Sequence, residues 1–202
     1  LSSMRHDKMI LFYDILGSEA HSIMLHEMGN ITAGELKKIL SVLEEALKNP
    51  QKIKTKGYED IHEALEAFVI KKAGLNAGGK MHTGRSRNDQ VVLDIRMKIR
   101  DDINNACEAL ADLIIGLIER AKQSMNMPMP LYTHLQQAQI GTFSHILLSY
   151  AYALMRDLER LYLTYDRINQ SPLGACAIGG SSINIDRKRT AILLGFHSVI
   201  MN

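Results

Sequence analysis

Tryptophan is absent from the 202 residues, and only seven tyrosines and four phenylalanines supply aromatic surface. Any core must therefore be built from aliphatic side chains and the eleven methionines. Cysteine is scarce too. Cys107 and Cys176 stand far apart with no metal-ligand spacing around either, which excludes a disulfide-stapled scaffold and fits a reducing compartment. Charge of neither sign dominates: the net value is +2, with basic and acidic residues interleaved. That balance argues against a nucleic-acid or acidic-membrane partner. No apolar run approaches the roughly 20 residues of a membrane-crossing helix, and the N-terminus lacks the shape of a signal peptide. A cytoplasmic location is expected. Sustained β-type alternation is also missing, so the expected class is all-α.

What is present is helical periodicity. The four prolines, Pro50, Pro128, Pro130 and Pro172, fall at breaks between periodic segments. A first helix is expected over roughly 10–28, ending near Gly29. Thr32 and Glu35 form a capping-box pair that opens a second helix to about Lys48. A third begins around Tyr58–Asp60 and runs to Lys72. Val92, Ile95, Ile99, Ile103, Ala106, Leu110, Leu113, Leu117 and Ala121 then recur every three or four residues, predicting a long helix over about 88–124. A second long helix is expected after Pro130, with Phe143, Ile146, Leu147, Tyr150, Leu154, Leu158, Leu161 and Tyr165 on one stripe. Stripes this long are buried only by similarly long neighbours, within a bundle or across subunits. The change from short to long helices places a domain boundary near residue 84. A small N-terminal helical domain (1–84) precedes the first part of a long-helix bundle domain (85–202).

Chemistry concentrates in Lys80-Met81-His82-Thr83-Gly84-Arg85-Ser86-Arg87-Asn88-Asp89-Gln90, at the start of the first long helix. Unpaired N–H groups and the positive dipole end attract anions there. Arg85 and Arg87 add forked donors that match a carboxylate, and Ser86 with Asp89 reads as a second capping box. The run reads as a receptor for a small carboxylate. A capped helix start with solvated arginines is the plain alternative.

Residues 78–90 resemble the signature of the argininosuccinate lyases, within the fumarase/aspartase superfamily. The likeness extends from Tyr13-Asp14-Ile15-Leu16-Gly17-Ser18 to Leu194-Gly195-Phe196. It implies a fold of long antiparallel helices and a homotetramer whose active sites are shared between subunits. It also implies a β-elimination of argininosuccinate to arginine and fumarate, in arginine biosynthesis, with no metal and no organic cofactor. Arg87 and Asn88 match positions that bind the carboxylate part of the substrate. Tyr132-Thr133-His134-Leu135-Gln136 is similar to a second family motif, which implies Thr133 in substrate contact and His134 as a catalytic acid/base. Imidazole suits that task near neutral pH. Gln136 bonds either the substrate or a neighbouring helix. Glu59-Asp60-Ile61-His62 matches a third run, in which Asp60 partners a substrate amine; taken bare, it is an acidic first helical turn. Ser18 fits both a substrate hydroxyl contact and a small residue at a helix crossing.

The sequence departs from the commonest family form at Leu131, Gln137, Ile140 and Cys176, the last standing where Gly is usual. Cys176 is expected to be a buried thiol. The family's mobile serine-bearing loop, which supplies the proton-abstracting base, lies beyond the segment matched. Gly74–Lys80 has P-loop spacing, but Met81 offers no oxygen to Mg²⁺ and a helix precedes it, so nucleotide binding is excluded. Two other readings stay open: a related superfamily lyase such as adenylosuccinate lyase, and a catalytically silent helical oligomer.

Overall fold

The computed structural model describes residues 3–201. Its elements run α1 (Met4–Asp7), α2 (Leu11–Glu27), α3 (Ala33–Lys48), a 3-10 turn (Pro50–Lys52), α4 (Ile61–Ala73), α5 (Leu75–Gly78) and α6 (Arg87–Gln123). There follow β1 (Pro128–Thr133), β2 (Gln136–Thr142), α7 (Phe143–Ile168), β3 (Gln170–Ser171), α8 (Arg187–Leu193) and β4 (Ser198–Val199). Helix dominates, so the all-α class holds, with two short two-stranded pairings added. None of the described helices is long and apolar enough to cross a membrane.

The chain forms two compact units. The first comprises residues 1–99 and 169–202, the second residues 100–168. In the first unit, α2, α3 and α4 enclose an aliphatic and methionine core that includes Ile15, Met24, Leu25, Ile39, Leu43, Leu65 and Met81. The capping box is in place: Thr32 N–H donates to Glu35 Oε2 at 2.8 Å, and Glu35 N–H donates to Thr32 Oγ1 at 3.3 Å. Asp60 caps α4 by accepting from Glu63 N–H at 2.6 Å. A smaller core joins the start of α6 to the returning segment through Leu93, Met97, Leu173, Ala191 and Phe196. That segment is tied down by parallel pairing of β3 with β4 and by Arg187, which donates to the carbonyls of Leu173 and Ile200.

One expectation needs completing and another needs correction. The face of α6 that packs in the first unit is Asp89, Gln90, Leu93, Asp94 and Met97, whereas Val92, Ile95 and Ile99 are exposed. The stripe expected to meet long neighbours, within a bundle or across subunits, is thus distinct from the face packed inside the first unit. The packed face carries three polar side chains: Asp89 and Gln90 are hydrogen-bonded, and Asp94 lies 3.5 Å from His62 Nδ1. The helix expected directly after Pro130 is instead an antiparallel hairpin, β1–β2, and α7 begins only at Phe143. Pro128 and Pro130 lack N–H donors, which suits an exposed strand better than a helix interior. The helical stripe starts only where Thr142 Oγ1 accepts from His145 N–H, at 3.2 Å. Met129 pairs with Gly141, over which the Leu131 side chain lies: an added Cβ there would come within 2.6 Å of Leu131 Cδ1.

Candidate active site

The signature loop is shaped by Gly84, whose φ of +73° suits a residue without Cβ; an added Cβ would also sit 2.9 Å from Ile185. The two following arginines part company. Arg85 turns inward, is 7% exposed, and donates from Nη2 to Ser18 Oγ at 3.1 Å. Ser18 is fully buried on α2. Arg87 opens α6 and stays partly exposed. Its Nε lies 3.2 Å from Asp60 Oδ2, its Nη2 3.6 Å from Glu66, and its Nη1 donates to Gln90 Oε1 at 2.7 Å. Asn88 is exposed beside it, with both its backbone and side-chain N–H groups 3.3 Å from Ser86 Oγ. Arg87, Asn88 and Asp60 thus gather at one accessible helix start, while Ser18 lies behind Arg85.

Asp89 binds backbone N–H groups rather than either arginine. Its Oδ1 accepts from Ser86 N–H at 2.8 Å, and its Oδ2 accepts from Gly174 N–H and Cys176 N–H, both at 2.8 Å. One carboxylate thereby caps α6 and fixes the glycine-rich loop. Cys176 holds a φ of +58°, the conformation that favours the glycine usual at this position. Its thiol is half-buried, not buried as expected, and burial together with Asp89 pushes its pKa up.

Beneath the helix start lies a charged cluster. Asp14, His62 and Asp94 are each buried, and His62 Nδ1 stands 3.0 Å from Asp14 Oδ2 and 3.5 Å from Asp94 Oδ2. Burial alone would raise the Asp14 carboxyl, but His62, Arg85 and Gln90 outweigh it and hold Asp14 below its ordinary value. Asp94 is pushed well above its ordinary value by burial and by the adjacent Asp14. By donor type Asp14, His62 and Asp94 suit a divalent ion, since their ligand atoms lie within 4.8 Å of one another. The Arg85 guanidinium also lends positive charge to both carboxylates. His21, also buried, has its pKa pulled down to about 3 by burial and by Arg85, and its Nε2 lies 2.8 Å from the Thr83 carbonyl. His82 is lowered for the same two reasons and sits 3.3 Å from Gln90 Oε1.

The second unit presents its candidates on the β1–β2 hairpin. Thr133 pairs with Gln136, and His134 and Leu135 form the two-residue tip with φ of 51° and 63°. Positive φ at both central residues is the pattern that matches the twist of a tight hairpin. Thr133, His134 and Gln136 are all exposed, so the imidazole is displayed rather than enclosed.

A family model described as lyase matches residues 2–200. The chain belongs to this lyase family. Among curated relatives, it is 59% identical over 202 residues to an argininosuccinate lyase of Nitrosopumilus maritimus (strain SCM1), and 44% identical over 202 residues to one of Methanothrix thermoacetophila. All of the chain is covered in both, but only 41% of each relative. A solved structure of EDDS lyase in complex with formate is 33% identical, with a TM-score of 0.88, over 97% of this chain and 39% of that one. The β-carboxy-cis,cis-muconate cycloisomerase of Acinetobacter calcoaceticus, at 21% identity and a TM-score of 0.80 over 94% of this chain and 47% of that one, shares the fold.

Sequence reasoning about this lyase-family chain passed over Asp14, Gln90 and Asp94. Asp14 and Gln90 entered only as members of quoted runs, and Asp94 was not singled out. The available signal was spacing: Gln90 and Asp94 stand four apart, flanked by Leu93 and Met97 on the same face.

Proposed function

We propose that the full-length protein is an argininosuccinate lyase, cleaving argininosuccinate to arginine and fumarate in cytoplasmic arginine biosynthesis. The observation that carries this reading is the 59% identity, over all 202 residues, to a curated argininosuccinate lyase. Arg87, Asn88 and Asp60 hold the substrate, with Ser18 supporting them through Arg85. The reaction removes a proton from carbon and breaks the neighbouring C–N bond, so that fumarate forms and the guanidinium of arginine leaves. Negative charge building on the substrate carboxylate is met by the Arg87 guanidinium and the α6 N–H groups, donors already in place before reaction. Thr133, His134 and Gln136 act on substrate from the hairpin in the assembled protein, with His134 handling the proton toward the leaving group. Residues beyond this chain supply the abstracting base. In the whole protein, residues 1–84 act as the N-terminal domain and 85–202 as the start of the bundle domain.

Assembly as a homotetramer with shared sites is part of the reading. It is supported by the apolar residues left exposed on the long helices, among them Ile95, Leu113, Ile115, Tyr152, Tyr162 and Leu163. The test is fumarate release, followed by its ultraviolet absorbance, from argininosuccinate with the purified full-length protein. Fumarate formation that is lost in Arg87→Ala is the expected result. A folded protein that yields no fumarate from argininosuccinate sinks the reading.

A further inference from the structure

Gln90 has no part in the roles above, yet it joins the buried charges to the exposed guanidinium. Its Nε2 donates to Asp14 Oδ1 at 2.5 Å, while its Oε1 accepts from Arg87 Nη1 at 2.7 Å. The amide cannot face the other way. A carboxylate only accepts and a guanidinium only donates, so a flip would break both bonds. At 2% exposure, Gln90 has no bulk water to replace a lost partner. Asp14 is itself fixed, being fully buried with His62 Nδ1 3.0 Å from its other oxygen.

On the far side, Arg87 is pulled by Asp60 and Glu66 at 3.2 and 3.6 Å. Left to those carboxylates, the guanidinium would turn its donors toward them and away from an incoming anion. The geometry points to Gln90 as a positioning residue, a polar strut between Asp14 and Arg87 that sets which guanidinium N–H groups face the substrate carboxylate. Glutamine is suited to this among the twenty side chains: it reaches both partners, donates at one end, accepts at the other, and adds no charge beside Asp14. Glutamate would set two carboxylates against each other, and a shorter asparagine would fall short of one partner.

The inference rests on the lyase reading for its kinetic readout, so the test includes an arm that does not. In the full-length protein, Gln90→Met keeps the volume and removes both bonds. It raises KM for argininosuccinate about tenfold to a hundredfold, with a smaller fall in kcat. A purely structural role would instead lower the amount of active enzyme, reducing apparent kcat at unchanged KM. Gln90→Glu is impaired as well. Combining Asp14→Asn with Gln90→Glu exchanges amide and carboxylate, conserves the charge, and reverses the direction of one hydrogen bond. That double variant recovers KM to within about threefold of the wild type. An unchanged KM in Gln90→Met, or a double variant no better than Gln90→Glu alone, overturns the proposal. Should Gln90→Met fail to fold, the charge-exchanged pair decides by itself. Crystal structures of the wild type and Gln90→Met supply the activity-independent arm. Arg87 rotated toward Asp60 and Glu66 is expected, and Arg87 unmoved overturns the strut. A wild type that folds but releases no fumarate refutes the lyase reading and leaves the crystallographic comparison to judge Gln90.

Discussion

The start of α6 and the tip of the β1–β2 hairpin hold their candidate groups by different means. Arg87 is fixed by side chains, with Asp60, Glu66 and Gln90 around it and the buried Asp14 behind. His134 is fixed by backbone, at a two-residue turn whose φ values are both positive and whose side chains are exposed. A network makes a group rigid but couples it to every neighbour. A turn sets the direction of the Cα–Cβ bond and leaves the side chain free to meet whatever arrives. Substitutions in the network should therefore disturb stability and binding together, whereas substitutions at the turn should separate function from stability.

The largest expected effect tests the turn. His134→Asn, chosen because asparagine tolerates positive φ, lowers kcat of the full-length protein about 10²–10⁴-fold. Stability to urea should stay within about 0.5 kcal/mol. A large loss of stability would mean that the tip is held by packing after all. Next comes the network. Asp89→Ala strips a partner from the N–H groups of Ser86, Gly174 and Cys176 and should cost on the order of 3 kcal/mol in urea unfolding. A cost below about 1 kcal/mol would show that the glycine-rich loop is not anchored through Asp89.

A smaller effect concerns pH. His21 has a folded pKa of about 3 against 6.5 for the free side chain. Between those values the unfolded chain binds a proton that the folded chain refuses, so its contribution is intact above about pH 6.5. It is lost progressively as pH falls and is fully gone near pH 3. At pH 5 the loss is about 2 kcal/mol. His21→Gln, which keeps a donor for the Thr83 carbonyl, should flatten the change in melting temperature between pH 7.5 and 5. An equally steep profile in the variant would place the titration elsewhere. The smallest effect returns to the hairpin. Leu135 is 97% exposed at φ 63°, so Leu135→Gly should stabilise the second unit by about 0.5–1 kcal/mol. Destabilisation would reveal that the leucine side chain is covered by an intermolecular contact.

Much of the secondary structure was legible because it is written locally. Thr32 with Glu35 announces α3 through hydrogen bonds within four residues, and the 3.6-residue period marks α2, α6 and α7. The failures have one cause. On α6, periodicity marked the Val92, Ile95 and Ile99 stripe and missed the second, packed face that carries Gln90 and Asp94. Hydropathy rates a carboxylate as a surface group, whereas Asp94 lies buried 3.5 Å from His62 Nδ1. After Pro130, apolar spacing was carried backward from Phe143 over a segment whose prolines and tip residues prefer a hairpin.

By itself, then, the sequence determined the lyase-family fold and the helix starts with their caps, and it singled out the run from Arg85 to Gln90 as a candidate anion site. Those properties depend on groups close along the chain or on an extended motif. Only the tertiary structure decided that Arg85 turns inward to Ser18 while Arg87 stays outside, and that Asp89 pins a loop 85 residues away. It alone placed Gln90 against Asp14, 76 positions distant. Such pairings are decided by which buried polar group is left without water and must find its partner across the core, and that is a property of packing.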